Sequence, residues 1–331
     1  MRRRLLFGLV AAVSAVSAHA LPASLKVVAQ LSAGDGGWDL LSVSPTDHRL
    51  YVAHGDRVTA FDLRTGNTTD SIAAGQRVHA ALAIPGTHDV LSTNGETNTA
   101  LLFDGRTGRV RATIPTGTKP DAATYDPATR TVWIMNPGSG DITVVDPASA
   151  KVLATVPVGG SLEMGEADGH GRMYVNVEDR NEVAVLDTRS RKLVRRFALK
   201  ECDGPTAIAI DPRDNEIVSA CGGGTVAIVS APDGREIASL PIGKGADGAA
   251  FDPVHHLALV PAGRDGRLTV IRLGPKPVVV EQIATAVSAR TIAVDPSTGR
   301  AYLPSAILAP VPAGERPKPV PGSFRVLVIA P

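Results

Sequence analysis

Aromatic side chains are scarce in this chain, at 4% of 331 residues. A core built from them is excluded, and apolar packing falls to Val, Ile, Leu and Ala. Only 2 cysteines are present, so the chain is not a disulfide-rich scaffold. No Cys-x-x-Cys pair exists to hold a zinc knuckle or attach a haem. Also missing are a Walker-type phosphate loop, a His-Glu-x-x-His and a Gly-x-Ser-x-Gly. Charge of one sign is lacking too, since the formal net charge is +1. What is plentiful is glycine (33) and proline (25), in a chain that is 44% hydrophobic. That apolar share is too high for a disordered chain. The glycines follow no three-residue period, which excludes collagen. Length alone suggests two domains, a prior that large all-β folds often break. The composition that remains is turn-rich and Val/Ala-rich, and it suits many short strands.

Residues 1–20 read as an address. Arg2, Arg3 and Arg4 precede the apolar run Leu5 to Val13, and Ala18-His19-Ala20 supplies a small-x-small cleavage pattern. This is the form of a secretory signal peptide. The run is short of the ~20 residues a spanning helix needs, and no later segment is long and apolar enough to span. The expected mature chain, 21–331, is periplasmic or secreted, without a membrane span. With the three arginines removed, 31 basic residues face 33 acidic ones. That balance gives no global pull toward nucleic acid or an anionic surface.

One turn motif recurs along the chain, at Ser44-Pro45, Ile84-Pro85, Asp126-Pro127, Asp168-Gly169, Asp211-Pro212, Asp252-Pro253 and Asp295-Pro296, in steps of 40 to 43 residues. The segment Pro120 to Pro157 shows the grammar of each copy. A small-residue strand ends in Asp-Pro, and three further strands of 4–6 residues follow, each bounded by turn residues. Four antiparallel strands in about 42 residues is the period of a β-propeller blade. The expectation is an all-β, seven-bladed propeller of four-stranded blades in one domain. The last blade ends at its third strand, Phe324 to Ile329, so its outer strand should come from Leu25 to Leu31 and close the ring. Small residues such as Ala80-Ala81, Ala122-Ala123 and Gly248-Ala249-Ala250 suit crowded innermost strands. Tyr51, Trp133, Tyr174 and Tyr302 share a register and are assigned to the core between blades.

With the copies aligned, the chain resembles the YVTN family of propeller repeat proteins, including exported YncE-like members. The matching segments are Ile208-Ala209-Ile210-Asp211-Pro212, Ile292-Ala293-Val294-Asp295-Pro296, Leu50-Tyr51-Val52-Ala53, Tyr174-Val175-Asn176, Ile142-Thr143-Val144-Val145-Asp146, Val183-Ala184-Val185-Leu186-Asp187 and Arg64-Thr65-Gly66-Asn67. The resemblance implies a fold. Its signature residues are architectural and assign no activity.

Six residues before the second residue of each turn lies one position per copy at the top of the innermost strand: Asp39, His79, Asp121, Glu163, Thr206, Asp247 and Arg290. These seven should converge on the tunnel mouth. Ends of second strands should add His54, Asn94, Asn136 and Asn176 to that rim. Carboxylates and an imidazole suit a divalent cation, and crowded carboxylates suit acid–base work. Arg290 suits an anionic group or the neutralisation of Asp39. The same positions also suit a hydrated polar funnel without chemistry. Cys202 and Cys221 fall on this rim and pair best as a disulfide. An insertion at 304–321, with six prolines and Glu315, Arg316 and Lys318, should be stiff and extended on the top rim, and lie over the mouth, serve a partner or simply be a surface loop. The basic run Arg189, Arg191, Lys192, Arg195 and Arg196 lacks interleaved aromatics for stacking bases. It suits protection of an outer strand edge.

The favoured function is an exported binding or scaffold protein, a monomer, that takes a small molecule or protein at its top face. No catalytic residue and no cofactor is assigned, with a divalent cation the one the ring would accept. The alternatives are a metal-assisted lactone or ester hydrolase using Asp39, His79, Asp121, Glu163 and Asp247, and a single-stranded DNA binder, although nucleic acid is not the expected partner.

Overall fold

The computed structural model describes residues 24–311 and 317–331. The expected signal peptide lies outside the described residues, as do Glu315 and Arg316. Among the described residues, structure is strand and turn apart from one 3-10 turn, Glu178–Arg180. None of their helices is long and apolar enough to cross a membrane.

The strands form six antiparallel sheets. β1 (Lys26–Ser32) stands apart in sequence from its sheet. β2 (Leu41–Ser44), β3 (Arg49–Asp62), β4 (Thr68–Ala83), β5 (Asp89–Asn94), β6 (Thr99–Asp104) and β7 (Val110–Pro115) form one six-stranded sheet in that order. Four-stranded sheets follow. The first holds β8 (Ala123–Asp126), β9 (Thr131–Asn136), β10 (Asp141–Asp146) and β11 (Lys151–Pro157). The second holds β12 (Leu162–Ala167), β13 (Arg172–Val177), β14 (Glu182–Asp187) and β15 (Lys192–Ala198). The third holds β16 (Pro205–Asp211), β17 (Glu216–Cys221), β18 (Thr225–Ser230) and β19 (Glu236–Pro241). The fourth holds β20 (Ala250–Asp252), β21 (Leu257–Ala262), β22 (Arg267–Arg272) and β23 (Val278–Ala284). The last has the order β1, β26 (Arg325–Ala330), β25 (Ala301–Ser305), β24 (Ala293–Val294).

The count of six corrects the expected seven separate blades. The first two sequence repeats share one hydrogen-bonded sheet, because β3 and β4 run on where breaks were expected. Each carries a left-handed residue at that point, Gly55 (φ 68°) in β3 and Arg77 (φ 55°) in β4. Gly55 pairs with Val78, which joins the two repeats. At the other end of the chain, β1 pairs antiparallel with β26, from Lys26 against Ala330 to Ser32 against Arg325. Both ends of the described chain therefore sit in one sheet.

Innermost strands touch their neighbours in turn around a circle, with β24 packing on β2. Their small residues follow from that crowding. A Cβ on Gly248 would lie 2.8 Å from the Thr291 Cα and 3.0 Å from the Ile292 N. Between sheets lie layers of Val, Ile, Leu and Ala. Tyr51, Trp133, Tyr174 and Tyr302 are all buried, and Tyr51 donates its hydroxyl hydrogen to the Gly105 carbonyl across repeats at 3.0 Å. Outer hairpins reuse one device. A carboxylate such as Asp62 accepts the N–H groups of Arg64 and Thr65, both at 2.9 Å, which is the local bonding that makes Asp a turn residue.

Pro304 and Ser305 belong to β25, so the insertion starts two residues later than expected. Leu308 bridges Pro319, folding the segment back on itself rather than leaving it extended.

Candidate ligand site at the tunnel mouth

The inner-strand positions converge. Asp39, His79, Asp121, Glu163, Thr206 and Asp247 line one chamber of about 100 Å³, floored by Leu40, Ala122 and Met164. His79 Nδ1–H donates to Asp39 Oδ2 at 2.7 Å, and Asp121 Oδ1 lies 3.9 Å from the same nitrogen. Arg290 closes the other side. Its Nε donates to Asp247 Oδ2 at 2.8 Å and its Nη2 to the Trp38 carbonyl at 2.7 Å, and Asp39 Oδ1 is 3.9 Å away. Thr206 is the exception in role, since its hydroxyl donates to the Ala246 carbonyl at 2.9 Å.

Crowding in a desolvated chamber shifts Asp121, Glu163 and Asp247 toward the neutral acid. Burial, then the charge of Asp39, lifts Asp121 to about 7. Burial, then Asp121 and Glu178, lifts Glu163 to about 9. Asp247 rises to about 6 through burial and Asp39, opposed by Arg290. Burial pulls the His79 imidazole down, but the Asp39 hydrogen bond and the charges of Asp121 and Asp39 outweigh it, so the net shift is upward. One carboxyl therefore holds a proton at neutral pH and a second titrates there. Ligand atoms of Asp39, His79 and Asp121 lie within 4.8 Å of one another, near enough to share a metal ion.

Above this chamber lies a cleft of about 950 Å³, which shares Thr206 and Asp247 with it. Trp38, Arg290, Asp203 and Glu178 line the cleft, with Leu308, Pro317 and Pro319 of the insertion on one side. Arg290 lies over the Trp38 ring, 5.6 Å from its centre. Part of the wall is bare backbone. Gly222 N–H donates to the Gly204 carbonyl, Gly245 to Gly222 and Gly263 to Gly245, at 2.9, 3.1 and 2.9 Å. Gly245 (φ 76°) has no room for a side chain, since a Cβ would meet the Arg264 Cγ at 2.6 Å. Cys202 and Cys221 are joined as a disulfide, with Cα atoms 5.4 Å apart. The bond ties the lip at Asp203 and Gly204 to the wall at Gly222 and Gly223.

His54, Asn94 and Asn136 are not at the mouth, which corrects that expectation. All three are buried. Second strands lie one step out from the tunnel, and their ends are covered by the hairpin to the third. Thr59 donates its hydroxyl hydrogen to the Asp70 carbonyl, so His54 Nδ1–H must donate to the Thr59 oxygen, at 2.9 Å. The ring stacks on Phe324 with centroids 4.1 Å apart, and burial, then Arg57, lowers it to about 4. Asn94 Oδ1 accepts the Gln76 N–H at 3.3 Å. Asn136 Nδ2 donates to Asp141 and Thr143 at 2.8 and 3.0 Å, holding its own hairpin. Asn176 donates to the Ala207 carbonyl at 2.9 Å, deep between sheets.

Glu166 was missed. Below Met164 the tunnel widens again to about 380 Å³, lined by Ser42, Leu82, Thr124, Glu166, Ala209, Ala250 and Ala293 among others. These seven stand three residues before the second residue of each turn, so the same count would have found them. Glu166 is the ionisable one. Residues three apart in a regular strand point to opposite faces. A bulge between Leu162 and Gly165 breaks that alternation and lets Glu163 and Glu166 both face the tunnel. Glu166 has no hydrogen-bond or ion-pair partner among the described residues, and burial alone lifts it to about 7.

No protein-family model matches this chain, and no curated protein sequence matches it. Solved structures do. A chain of the mitotic checkpoint complex matches with a TM-score of 0.75 at 15% identity, covering 91% of this chain and 95% of its own. A chain of hydrazine synthase from Kuenenia stuttgartiensis matches with a TM-score of 0.70 at 17% identity, covering 81% and 92%. The chain is a β-propeller. At these identities the likeness extends to the fold alone, and the site must be argued from its own residues.

Proposed function

We propose that this propeller is an exported, monomeric binding protein of the YVTN type. It holds a ligand in the cleft over its tunnel mouth, with a cationic group of that ligand reaching the acidic chamber. The observation that carries this reading is the continuity of cleft and chamber through Thr206 and Asp247. Four carboxyl groups face two cationic side chains there, and small-molecule sites are concave with a few convergent polar groups. Calorimetry with Ca²⁺, Mn²⁺ and a linear diamine, in buffers of different ionisation enthalpy, tests it. At least one probe should bind with proton release at pH 7, and release should vanish in Asp121→Asn/Glu163→Gln. Absence of binding by every probe, with no small molecule in the denatured extract of the purified protein, overturns it.

A second reading, a metal-assisted lactone or ester hydrolase, is favoured by one observation, the Asp39–His79–Asp121 cluster. A metal there would activate a water for attack on the carbonyl. Elemental analysis of the purified protein with an assay on simple lactones decides between the two. Nothing favours the DNA-binding reading. Arg195 donates to the Pro232 carbonyl at 2.8 Å and to Asp233 O, Arg196 is engaged by Glu182 and Val158 O, and Arg189 donates to the His170 carbonyl at 3.1 Å. Those arginines stitch backbone segments together.

A further inference from the structure

On the rim opposite the cleft, the Asp-Pro turns share one bonding pattern. The first carboxylate oxygen takes the backbone N–H of the residue two further on. The second takes a donor from the side chain three residues on. Thr129 donates to Asp126 at 2.6 Å, His255 Nδ1 pairs with Asp252 at 2.6 Å, and Thr298 donates to Asp295 at 2.8 Å. In the turn at Asp211 that third residue is Asp214, a carboxylate with nothing to donate.

Asp211 is fully buried. Its Oδ1 accepts the N–H groups of Arg213 and Asp214 at 3.0 and 3.4 Å, while its Oδ2 is buried without a hydrogen-bond partner. From the next repeat His256 brings Nδ1 to 3.3 Å from that oxygen and Nε2 to 3.1 Å from Asp214 Oδ2. Nδ1 is likewise buried without a hydrogen-bond partner. Two lone-pair donors facing each other unbonded is how two ligands of one cation are disposed. The ring is held edge-on by Phe251, with centroids 5.5 Å apart at 88°. Buried Glu216 stands close enough to feel both aspartates. Arg213, 3.3 Å from Asp214, is the cation paired there, and its side chain is 59% exposed.

We propose that Asp211, Asp214 and His256 form a site for a transition metal of the Zn²⁺ or Co²⁺ class, clasping the turns of two neighbouring repeats. The ligand atoms lie within 4.8 Å of one another. The His256 imidazole and the Asp211 carboxylate are donors that Zn²⁺ and its neighbours accept, with water completing the shell. Nε2 facing Asp214 provides the outer contact that fixes the orientation of a metal-bound imidazole.

The test is Co²⁺ titration of the full chain, read by calorimetry and visible absorption, in an Asp39→Asn/Asp121→Asn background that removes the tunnel-mouth cluster. One equivalent should bind with ligand-field absorption. His256→Asn, which keeps a residue tolerant of the left-handed backbone at this position (φ 59°), should lose that equivalent. Asp214→Asn should weaken it by about 10-fold or more. Binding unaffected by His256→Asn overturns the proposal. So does absence of Co²⁺ and Zn²⁺ binding in the tunnel-mouth variant, which would leave His256 as a bridge between the two turns and nothing more. Because the background variant lacks the tunnel cluster, this outcome is independent of the ligand proposed for the cleft.

Discussion

Replacing Glu166 by Gln should stabilise the protein above neutral pH and do little in acid. Burial lifts this carboxyl from its usual 4.5 to about 7, with no charged neighbour contributing. The folded state therefore holds a proton that the unfolded chain releases between pH 4.5 and 7. Within that window the wild type loses stability as pH rises, at about 1.4 kcal/mol per unit. The full interval gives a ceiling of about 3 kcal/mol, and screening by tunnel water lowers it, so about 1–3 kcal/mol is expected. Gln copies the shape of the neutral acid and cannot ionise. Below pH 4.5 both proteins carry an uncharged side chain and should unfold alike. Above pH 7 only the wild type holds an unpaired buried charge. Urea unfolding at pH 4, 5.5, 7 and 8.5 reads the difference directly, and other titrating groups cancel between the two proteins. A difference that is constant across pH, or a variant weaker at pH 8.5, would refute the assignment of Glu166 to a desolvated tunnel wall.

Three further outcomes follow from the same geometry. Cys202→Ser should lower unfolding stability by about 3 kcal/mol, the chain-entropy value for a closed loop of this length, given the separation of 19 residues; reductant should then have no effect on the variant in denaturant titrations. Gly248→Ala should cost about 1–3 kcal/mol by overpacking, because the new methyl meets the Thr291 and Ile292 backbone; an unchanged thermal midpoint would show that the inner strands can spread. Arg290→Met should raise the Asp247 midpoint above its value of about 6, since Arg290 is what opposes burial and Asp39 there. Carbon-13 NMR of the carboxyl measures it, and an unmoved midpoint would disprove the pairing.

The period of about 42 residues was enough to place the innermost strands, and with them a ring of residues far apart in sequence. Counting from the Asp-Pro turns works because the turn fixes where each inner strand ends. The same count could not say that β3 and β4 run unbroken between two repeats, since sheet boundaries depend on pairing at Gly55 and Val78 rather than on turn residues. His54, Asn94 and Asn136 were misplaced because position along a strand does not reveal what covers its end. Glu166 went uncounted because only the position six before each turn was read, and the bulge in β12 turns the position three before it into the tunnel as well. Asp211 was counted as architecture and His256 carried no reading, and only the missing donor at Asp214 sets this turn apart from its Asp-Pro siblings.

Charge in the upper chamber is coupled to protons by its own crowding. Fully ionised, Asp39, Asp121, Glu163 and Asp247 would be in ion-pair contact with His79 and Arg290 among the described residues, with Arg77 acting on Asp121 from further off, so four negative charges would crowd two close cations in a chamber of about 100 Å³. The chamber answers by raising Asp121 to about 7 and Glu163 to about 9. An uncharged guest gains nothing from this arrangement. A cation can take the place of the stored protons, satisfying carboxylates that otherwise stay neutral. Its affinity must then rise with pH between about 6 and 9, by up to tenfold per unit for each proton displaced. The bulge that lets Glu163 into this chamber also exposes Glu166 below Met164, so a single irregularity in β12 serves both halves of the tunnel. Residues that look redundant in composition, two glutamates three apart, are thereby separated into a crowded acid, which under the proposed function would trade its proton for a cation, and an isolated one governed by burial alone.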